Sequence, residues 1–135
     1  MYYFTTRFNS IKKKILIVED VEDTRVLIKF LLESLGYQVI EAIDGFKAVE
    51  LVRHQIPDLI LMDMALPLID GITATKIIRH FKETSKVPII ALTASGQFIY
   101  QQAIEAGCSD LILKPIDVDT FQPIIEYHLQ RVCCE

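Results

Sequence analysis

The segment DLILMDMALPLIDG (58–71) combines a short apolar run with an acidic residue at its end. Short apolar runs bounded by turn signals are typical of strands that are buried on both faces. Asp63 closes the run, and Pro67, Asp70 and Gly71 follow in a segment of turn-forming residues. The pattern therefore predicts a buried strand that delivers a carboxylate to its end, and the function depends on what else reaches that carboxylate.

The same unit recurs along the chain, because short apolar runs alternate with amphipathic segments five times. Strands are predicted at 14–18, 37–42, 58–63, 88–94 and 110–114, and helices at 22–36, 44–55, 72–83, 96–107 and 117–132. Asp44 and Asp70 are predicted to cap the N-termini of the second and third helices. Gly36 and Gly107 are predicted to end the first and fourth. Pro123 is expected in or near the first turn of the last helix, since deeper in a helix it removes a backbone hydrogen bond.

Apolar residues recur at helical spacing in the predicted helices, which is typical of helices that pack on a sheet. On the first helix they are Val26, Leu27, Phe30, Leu31, Leu32 and Leu35. On the third helix the residues expected to point inward are Ile72, Ile77, Ile78 and Phe81.

Strict alternation of buried strands and helices predicts an α/β fold with a parallel sheet covered on both sides. Sites in open sheets of this kind lie beyond the carboxyl ends of the strands. The residues at those predicted ends therefore decide the function.

Bulk properties exclude several classes of protein. The length of 135 residues suggests one domain, and we expect residues 1–10 to be an N-terminal extension to a single domain spanning residues 11–135. The longest apolar runs are far too short to cross a bilayer, and the N-terminus lacks the features of a signal peptide, so we expect a cytoplasmic protein without a membrane partner. Residues 11–135 are acidic in balance, which argues against direct nucleic-acid binding.

Charged and hydroxyl side chains stand at the predicted ends of four strands: Glu19, Asp20, Asp63, Thr93 and Lys114. If these strands are neighbours, about 4.8 Å apart, the side chains can share one ion. Three carboxylates at close range repel each other, and a divalent cation removes that conflict. Oxygen ligands with room for water suit Mg²⁺. A carboxylate that faces a hard cation, a lysine and a hydroxyl is suited to phosphoryl chemistry.

Four segments together resemble the receiver domain of the two-component response-regulator family: KILIVEDVEDTR, PDLILMDMALPLIDG, VPIIALTAS and AGCSDLILKP. The resemblance runs from about Lys13 to Val132. It implies a flavodoxin-like (βα)5 three-layer sandwich whose five-stranded parallel sheet has the order 2-1-3-4-5. It also implies a single-domain response regulator, of the kind that includes the chemotaxis regulators, which acts as a phosphoacceptor switch and is not an enzyme.

The resemblance assigns roles to the strand-end residues. Asp63 matches the phosphorylated aspartate. Asp20 and Asp63 would bind Mg²⁺ directly, Glu19 would act through water, and the backbone carbonyl of Ala65 would be a further ligand. Phosphoryl binding and switching would involve the residues of the fourth and fifth strand ends, which are Thr93, Ala94 and Lys114. The Lys114–Pro115 peptide bond is expected to be cis.

One residue departs from the family pattern. Relatives commonly have Tyr or Phe three residues before the lysine, where this chain has Leu111. Any rotamer-based readout of phosphorylation is therefore expected to be weaker or to run through other residues, with Phe98 and Tyr100 of the fourth helix as candidates. The substitution also leaves open an alternative function, a receiver-like interaction module that works without phosphorylation.

The implied partners are a sensor histidine kinase or a histidine phosphotransfer protein and a downstream protein target. A homodimer is also open, because the apolar residues of the last helix fit either a dimer interface or packing on the sheet: Ile124, Ile125, Tyr127 and Leu129. Two enzyme classes fit less well. An aspartyl phosphatase usually carries a second aspartate where this chain has Ala65, and a dinucleotide enzyme needs a glycine-rich turn after the first strand. A flavin site remains open on grounds of fold alone.

Overall fold

Residues 12–134 form strands and helices in strict alternation in this computed structural model, which describes the side chains of residues 12–130. The strands are β1 (Lys14–Val18), β2 (Gln38–Ala42), β3 (Leu59–Asp63), β4 (Ile89–Thr93) and β5 (Asp110–Leu113). The helices are α1 (Glu22–Ser34), α2 (Gly45–His54), α3 (Gly71–His80), α4 (Gly96–Ala106) and α5 (Val118–Cys134), with a 3₁₀ turn at Lys82–Thr84. The expected extension at residues 1–10 and the side chains of Cys133 and Cys134 lie outside the described part.

The five strands form one parallel sheet of order β2-β1-β3-β4-β5. This arrangement is a flavodoxin-like fold. It confirms the parallel sheet that the alternating pattern predicted and the strand order that the family resemblance implied. The strand bounds differ from the predicted ones by one residue at most at each end. The reason is that apolar runs identify the buried part of a strand well, whereas the pairing that defines its last residue depends on neighbours.

Side chains alternate between the two faces of the sheet, and each face has its own core. On β1, Leu16 and Val18 pack in the core under α2, α3 and α4, whereas Ile15 and Ile17 pack in the core under α1 and α5. Phe121 of α5 is fully buried in the second core. Strands covered on both faces in this way need apolar residues throughout, which explains the continuous runs in the sequence.

The helix ends follow the predicted signals. Asp44 and Asp70 accept hydrogen bonds from the backbone N–H groups of Lys47 and Thr73, each at 2.8 Å, and so cap α2 and α3. Gly107 ends α4 with φ of 117°, a left-handed conformation that favours glycine. These caps confirm the predictions made from the aspartates and from the glycine.

Pro123 lies deeper in α5 than expected. It is the sixth residue of the helix, in the second turn, so the helix lacks the backbone donor that this position would supply. The start of α5 is reinforced by Asp117, whose backbone carbonyl accepts from the N–H groups of Thr120 and Phe121. The predicted start at residue 117 lies one residue before the observed start, so the difference arises because the helix accommodates a proline in its second turn.

The apolar spacing on α1 did not identify its buried face. Ile28 and Leu32 are fully buried, whereas Val26, Leu27 and Phe30 are exposed. On α3, Ile78 is buried and Ile72 and Phe81 pack partly against the core, but Ile77 lines a surface groove between α2 and α3. Of the four apolar residues considered on α5, three pack on the sheet: Ile125 and Leu129 are buried and Ile124 packs against the same core. Tyr127 is exposed.

No helix within residues 12–134 combines the length and the apolar character needed to cross a bilayer.

Candidate functional site

Charged and hydroxyl side chains lie together at the carboxyl edge of the sheet. Some come directly after β1 and β5, and the others are the last residues of β3 and β4. Because β1, β3, β4 and β5 are consecutive neighbours, the strand-end residues converge as the spacing predicted. The converging residues are Glu19, Asp20, Asp63, Thr93 and Lys114.

Asp63 is the last residue of β3 and is almost completely buried. Its Oδ2 accepts a hydrogen bond from Lys114 Nζ at 3.2 Å, and its Oδ1 accepts from the backbone N–H of Ala65 at 3.0 Å. The helix after this loop approaches very closely, since a Cβ at Gly71 would collide with the backbone carbonyl oxygen of Asp63. Glycine at position 71 is therefore required for α3 to begin this close to the end of β3.

Glu19 is fully buried beside this pair. Its Oε2 accepts from the backbone N–H of Val21 at 3.1 Å, and its Oε1 lies 2.9 Å from Lys114 Nζ. The contact with Lys114 is a close ionic one without the alignment of a hydrogen bond, so Oε1 is a buried oxygen that has no hydrogen-bond partner. Oε1 is therefore paired with Lys114 by charge alone, and because a carboxylate oxygen can accept more than one contact, it can also accept a hydrogen bond from a further ligand.

The charges at this edge shift one another's proton affinities. Burial raises the pKa of Glu19, and the neighbouring Asp63 adds to the rise, although the contact with Lys114 opposes it. Burial alone would lower the pKa of Lys114, but the contact with Glu19 and the charge of Asp63 outweigh it and raise that pKa. The site therefore holds a firmly protonated lysine among carboxylates that repel each other.

Three carboxylates could hold a cation here, because oxygen atoms of Glu19, Asp20 and Asp63 all lie within 4.8 Å of one another. Asp20 is exposed, so a bound ion would keep access to water. The all-oxygen donor set suits a hard cation such as Mg²⁺. The residues present therefore fit the ion that the sequence predicted.

The remaining predicted residues surround this centre. Thr93 Oγ1 accepts from the backbone N–H of Ser95 at 3.1 Å, and within residues 12–134 no hydrogen bond joins Thr93 to Asp63. Ala94 and Ala65 are both exposed at the rim. The roles expected for these residues, and for the Ala65 carbonyl in particular, stay predictions.

Leu111 lies on β5 and is partly buried against the core beneath α2, α3 and α4. The side chain serves packing at the place where relatives carry an aromatic residue. The two aromatic residues suggested instead, Phe98 and Tyr100 on α4, are largely exposed and therefore belong to the surface. The Lys114–Pro115 peptide bond is cis.

Two features of the site were missed in the sequence. Arg25 of α1 donates a hydrogen bond to the backbone carbonyl of Glu19. Its only signal was that it is the one basic residue in EDVEDTR (19–25). The second feature is an exposed apolar surface on α1, formed by Val26, Leu27 and Phe30. The spacing of these residues was visible, but their exposure depends on how α1 packs.

Comparison with known proteins gives a consistent match. The family model described as the response regulator receiver domain matches residues 15–126. The polar-differentiation response regulator DivK of Brucella ovis is 38% identical over 118 residues, which cover 87% of this chain and 96% of that protein. The protein of the same name from Brucella anthropi gives the same identity and coverage.

Solved structures of receiver domains have the same fold as this chain. The crystal structure of the receiver domain of sensor histidine kinase PA1611 from Pseudomonas aeruginosa PAO1, which has a magnesium ion coordinated in its active site cleft, gives a TM-score of 0.84 at 38% identity. The match covers 89% of this chain and 99% of that one. The signal receiver domain of a histidine kinase from Syntrophus aciditrophicus gives a TM-score of 0.82 at 30% identity, covering 89% of this chain and 92% of that one.

Proposed function

Because the chain belongs to the response regulator receiver domain family, we propose that Asp63 accepts a phosphoryl group and that the chain signals through the resulting change of its binding surface. The donor is a phosphohistidine on a sensor histidine kinase or a histidine phosphotransfer protein, in the cytoplasm, and the target is another protein. The observation that carries the proposal is the placement of the Asp63 carboxylate between Lys114 and two further carboxylates at one edge of the sheet.

The chemistry assigned to Asp63 is nucleophilic. A carboxylate oxygen attacks the phosphorus of the donor and an O–P bond forms while the N–P bond to the donor imidazole breaks. The electron pair of the N–P bond stays on the nitrogen, which takes a proton from water, so the donor leaves as a neutral imidazole. Lys114 Nζ lies 3.2 Å from Asp63 Oδ2 and is therefore placed to neutralise an oxygen of the incoming group. Because the chain assists only its own modification, it is a switch rather than an enzyme.

We assign Mg²⁺ to the carboxylates of Asp20 and Asp63, to Glu19 acting through water, and to the backbone carbonyl of Ala65. When bound, the ion supplies charge neutralisation to the phosphoryl oxygens. The chain's own contribution is to hold three oxygen donors close together before the ion arrives, with Glu19 Oε1 buried and ion-paired with Lys114.

The switch rests on a choice of hydrogen-bond partners. The hydroxyl of Thr93 is engaged with the backbone N–H of Ser95 and not with Asp63. A phosphoryl group on Asp63 adds charge and acceptor oxygens. Lys114 already contacts Asp63, whereas Thr93 gains a phosphoryl partner only if its hydroxyl turns toward Asp63. Such a difference in contacts favours one conformation over the other and changes the surface of α4 and β5.

The exposed apolar surface of α1 is the part of the chain that we assign to docking of the phosphodonor protein. Val26, Leu27 and Phe30 are exposed on the helix that begins two residues after Asp20, and this connection to the carboxylate cluster supports the assignment. Exposed apolar groups of this size are typical of interaction surfaces.

The test of the acceptor is intact-mass spectrometry after incubation with Mg²⁺ and acetyl phosphate. The wild-type chain should gain the mass of one phosphoryl group, and Asp63→Asn should gain none. Asp70→Asn is the matched control, because asparagine caps a helix as well as aspartate and Asp70 lies outside the carboxylate cluster. Labelling of Asp63→Asn to the wild-type level, or no labelling of wild type by any donor, would overturn the proposal.

The test of the docking surface compares two donors. Phe30→Ser should slow transfer from a phosphorylated histidine phosphotransfer protein but leave labelling by acetyl phosphate unchanged, because the small donor needs no docking. Phe98→Ser, which changes a still more exposed phenylalanine on α4, is the control and should affect neither transfer. If Phe30→Ser transfers at the wild-type rate from the protein donor, α1 is not the docking surface.

Leu111 supports one alternative function, an interaction module that works without phosphorylation. The packing of Leu111 against the core gives the chain no aromatic switch at that position. This alternative predicts equal target binding by wild type and by Asp63→Asn in the presence of acetyl phosphate, whereas the phosphorylation switch predicts different binding.

A further inference from the structure

Arg25 connects the loop that carries Asp20 to the end of strand β2. Its side chain is 15% exposed, although it projects from the first turn of a surface helix. Nη1 donates to the backbone carbonyl of Glu19 at 3.0 Å, and Nε donates to Glu41 Oε1 at 3.1 Å. Glu41 is also paired with Lys29 at 3.2 Å, so the acceptor of Arg25 is itself held in place.

The two peptide groups of Glu19 are therefore both fixed relative to β2. The N–H of Glu19 donates to the backbone carbonyl of Ala42 at 3.1 Å. The carbonyl of Glu19 is held by Arg25, which is held by Glu41 on the same strand. Because the second of these peptide groups leads directly into Asp20, its orientation sets the direction in which the Asp20 side chain leaves the backbone.

Asp20 has no other means of orientation within the described residues. Its carboxylate is exposed and has no hydrogen bond or ion pair in residues 12–134, whereas Glu19 and Asp63 are held by Lys114 and by backbone N–H groups. Among the groups that fix the turn before Asp20, the guanidinium of Arg25 is the one side chain that contributes no atom to the carboxylate cluster.

We propose that Arg25 is a positioning residue, which presets the Asp20 carboxylate for the divalent cation by fixing the Glu19–Asp20 peptide group. The inference rests on the proposed function, because it concerns the same cation site. It adds a residue that touches neither the ion nor the phosphoryl group, and it gives a role to the one basic residue of the acidic segment 19–25.

Charge and positioning make opposite predictions for Arg25. A cation near the site repels Mg²⁺, so if the charge of Arg25 were its only influence, removing it would strengthen Mg²⁺ binding. If Arg25 positions Asp20, removing it weakens Mg²⁺ binding, since loss of a group that orients a ligand reduces metal affinity by about 10-fold. The sign of the change therefore separates the two roles.

The experiment is isothermal titration calorimetry of MgCl₂ into the full chain without phosphodonor. Arg25→Met should raise the Mg²⁺ Kd by about 10-fold. Arg25→Lys should also raise it, because lysine keeps the charge but cannot bridge the Glu19 carbonyl and Glu41 together. Lys29→Met is the matched control: it removes a cation from the same helix and the same carboxylate without touching Glu19, and its Kd should equal or fall below that of wild type.

A second readout separates positioning from general damage to the fold. In acetyl phosphate labelling, Arg25→Met should need more Mg²⁺ for half-maximal rate while reaching the wild-type rate at saturating Mg²⁺. An unchanged or lower Kd in Arg25→Met would overturn the inference while leaving the proposed function intact. Absence of Mg²⁺ binding in the wild type would overturn both. If Arg25→Met does not fold, Arg25→Lys decides the question in the same way.

Discussion

Lys114 and Arg79 are both partly buried cations at opposite ends of the sheet, and they are used in opposite ways. Lys114 follows β5 at the carboxyl edge and faces the carboxylates of Glu19 and Asp63. Arg79 lies at the amino end, where it donates to three neutral backbone carbonyls, those of Gly107 at 2.9 Å, Thr84 at 2.9 Å and Val87 at 2.6 Å. Lys114 therefore contacts charged carboxylates, whereas Arg79 contacts uncharged backbone carbonyls.

The pKa values of the two cations record this difference. Burial lowers the pKa of Arg79, and the nearby Cys108 only partly opposes the change. The pKa of Lys114 is raised in spite of its burial, because Glu19 and Asp63 favour its charged form. A cation that donates to carbonyls holds loops together. A cation among crowded carboxylates can exchange partners, which the proposed phosphoryl transfer to Asp63 requires.

Lys114→Met is the change that should separate the two ends most clearly. Loss of the cation that faces Asp63 should lower the rate of labelling by acetyl phosphate by about 100-fold, since removal of one charge-stabilising donor has an effect of this order. Intact-mass spectrometry over time measures the rate. Lys76→Met, which removes an exposed lysine of α3, should label at the wild-type rate. If Lys114→Met is labelled at the wild-type rate, Lys114 does not assist labelling, and its role does not differ from that of Arg79.

Arg79→Met should have the converse effect. It leaves three backbone carbonyls at the amino end without their donor, and the free energy of unfolding should fall by about 3 kcal/mol. Urea unfolding followed by circular dichroism measures the loss, which should be the same with and without Mg²⁺ because neutral carbonyls form no cation site here. Labelling below the unfolding transition should remain at the wild-type rate. A variant that loses labelling but keeps its stability would contradict the assignment of Arg79 to structure.

The carboxyl edge could be predicted from sequence because its residues stand at strand ends. Strands of apolar residues were visible as short runs, and a parallel sheet of order β2-β1-β3-β4-β5 brings Asp63, Thr93 and Lys114 together once the strands are correct. The cation cluster followed from the same step, since Glu19 and Asp20 come directly after β1. The strand order that completes this step came from the family resemblance, because the alternating pattern alone leaves several orders open.

The amino end and the helix faces could not be predicted in the same way. Arg79 and Arg25 donate to backbone carbonyls. Every residue has a backbone carbonyl, so the sequence does not show which residue accepts from an arginine. On α1, apolar residues occur on more than one face, so spacing alone could not separate the buried Ile28 from the exposed Phe30. Which face is buried depends on the angle at which the helix lies on the sheet, and that angle is set by tertiary packing.

The smallest expected effect concerns Glu19. It tests whether the buried charge of Glu19 at the carboxyl edge lowers the free energy of unfolding. The pKa of Glu19 is raised above 4.5 in the folded chain, chiefly by burial. The folded state therefore holds this proton to a higher pH than the unfolded state does, so Glu19 lowers stability as the pH rises from 4.5 through its raised pKa. Glutamine resembles the protonated form, and each pKa unit corresponds to about 1.4 kcal/mol.

Glu19→Gln should accordingly raise the free energy of unfolding at pH 7 in the presence of EDTA, and the gain should disappear below pH 4.5, where both states of the wild type are protonated. Urea unfolding at a series of pH values measures the difference. Mg²⁺ should reduce the gain, because the ion stabilises the charged wild-type site more than the variant. The matched control is Glu50→Gln, an exposed glutamate of α2 that should change stability little at any pH. If Glu19→Gln is less stable than wild type at pH 7 without Mg²⁺, the contact with Lys114 outweighs the burial of Glu19, and the carboxyl edge is stabilised by its charges as the amino end is by its carbonyls.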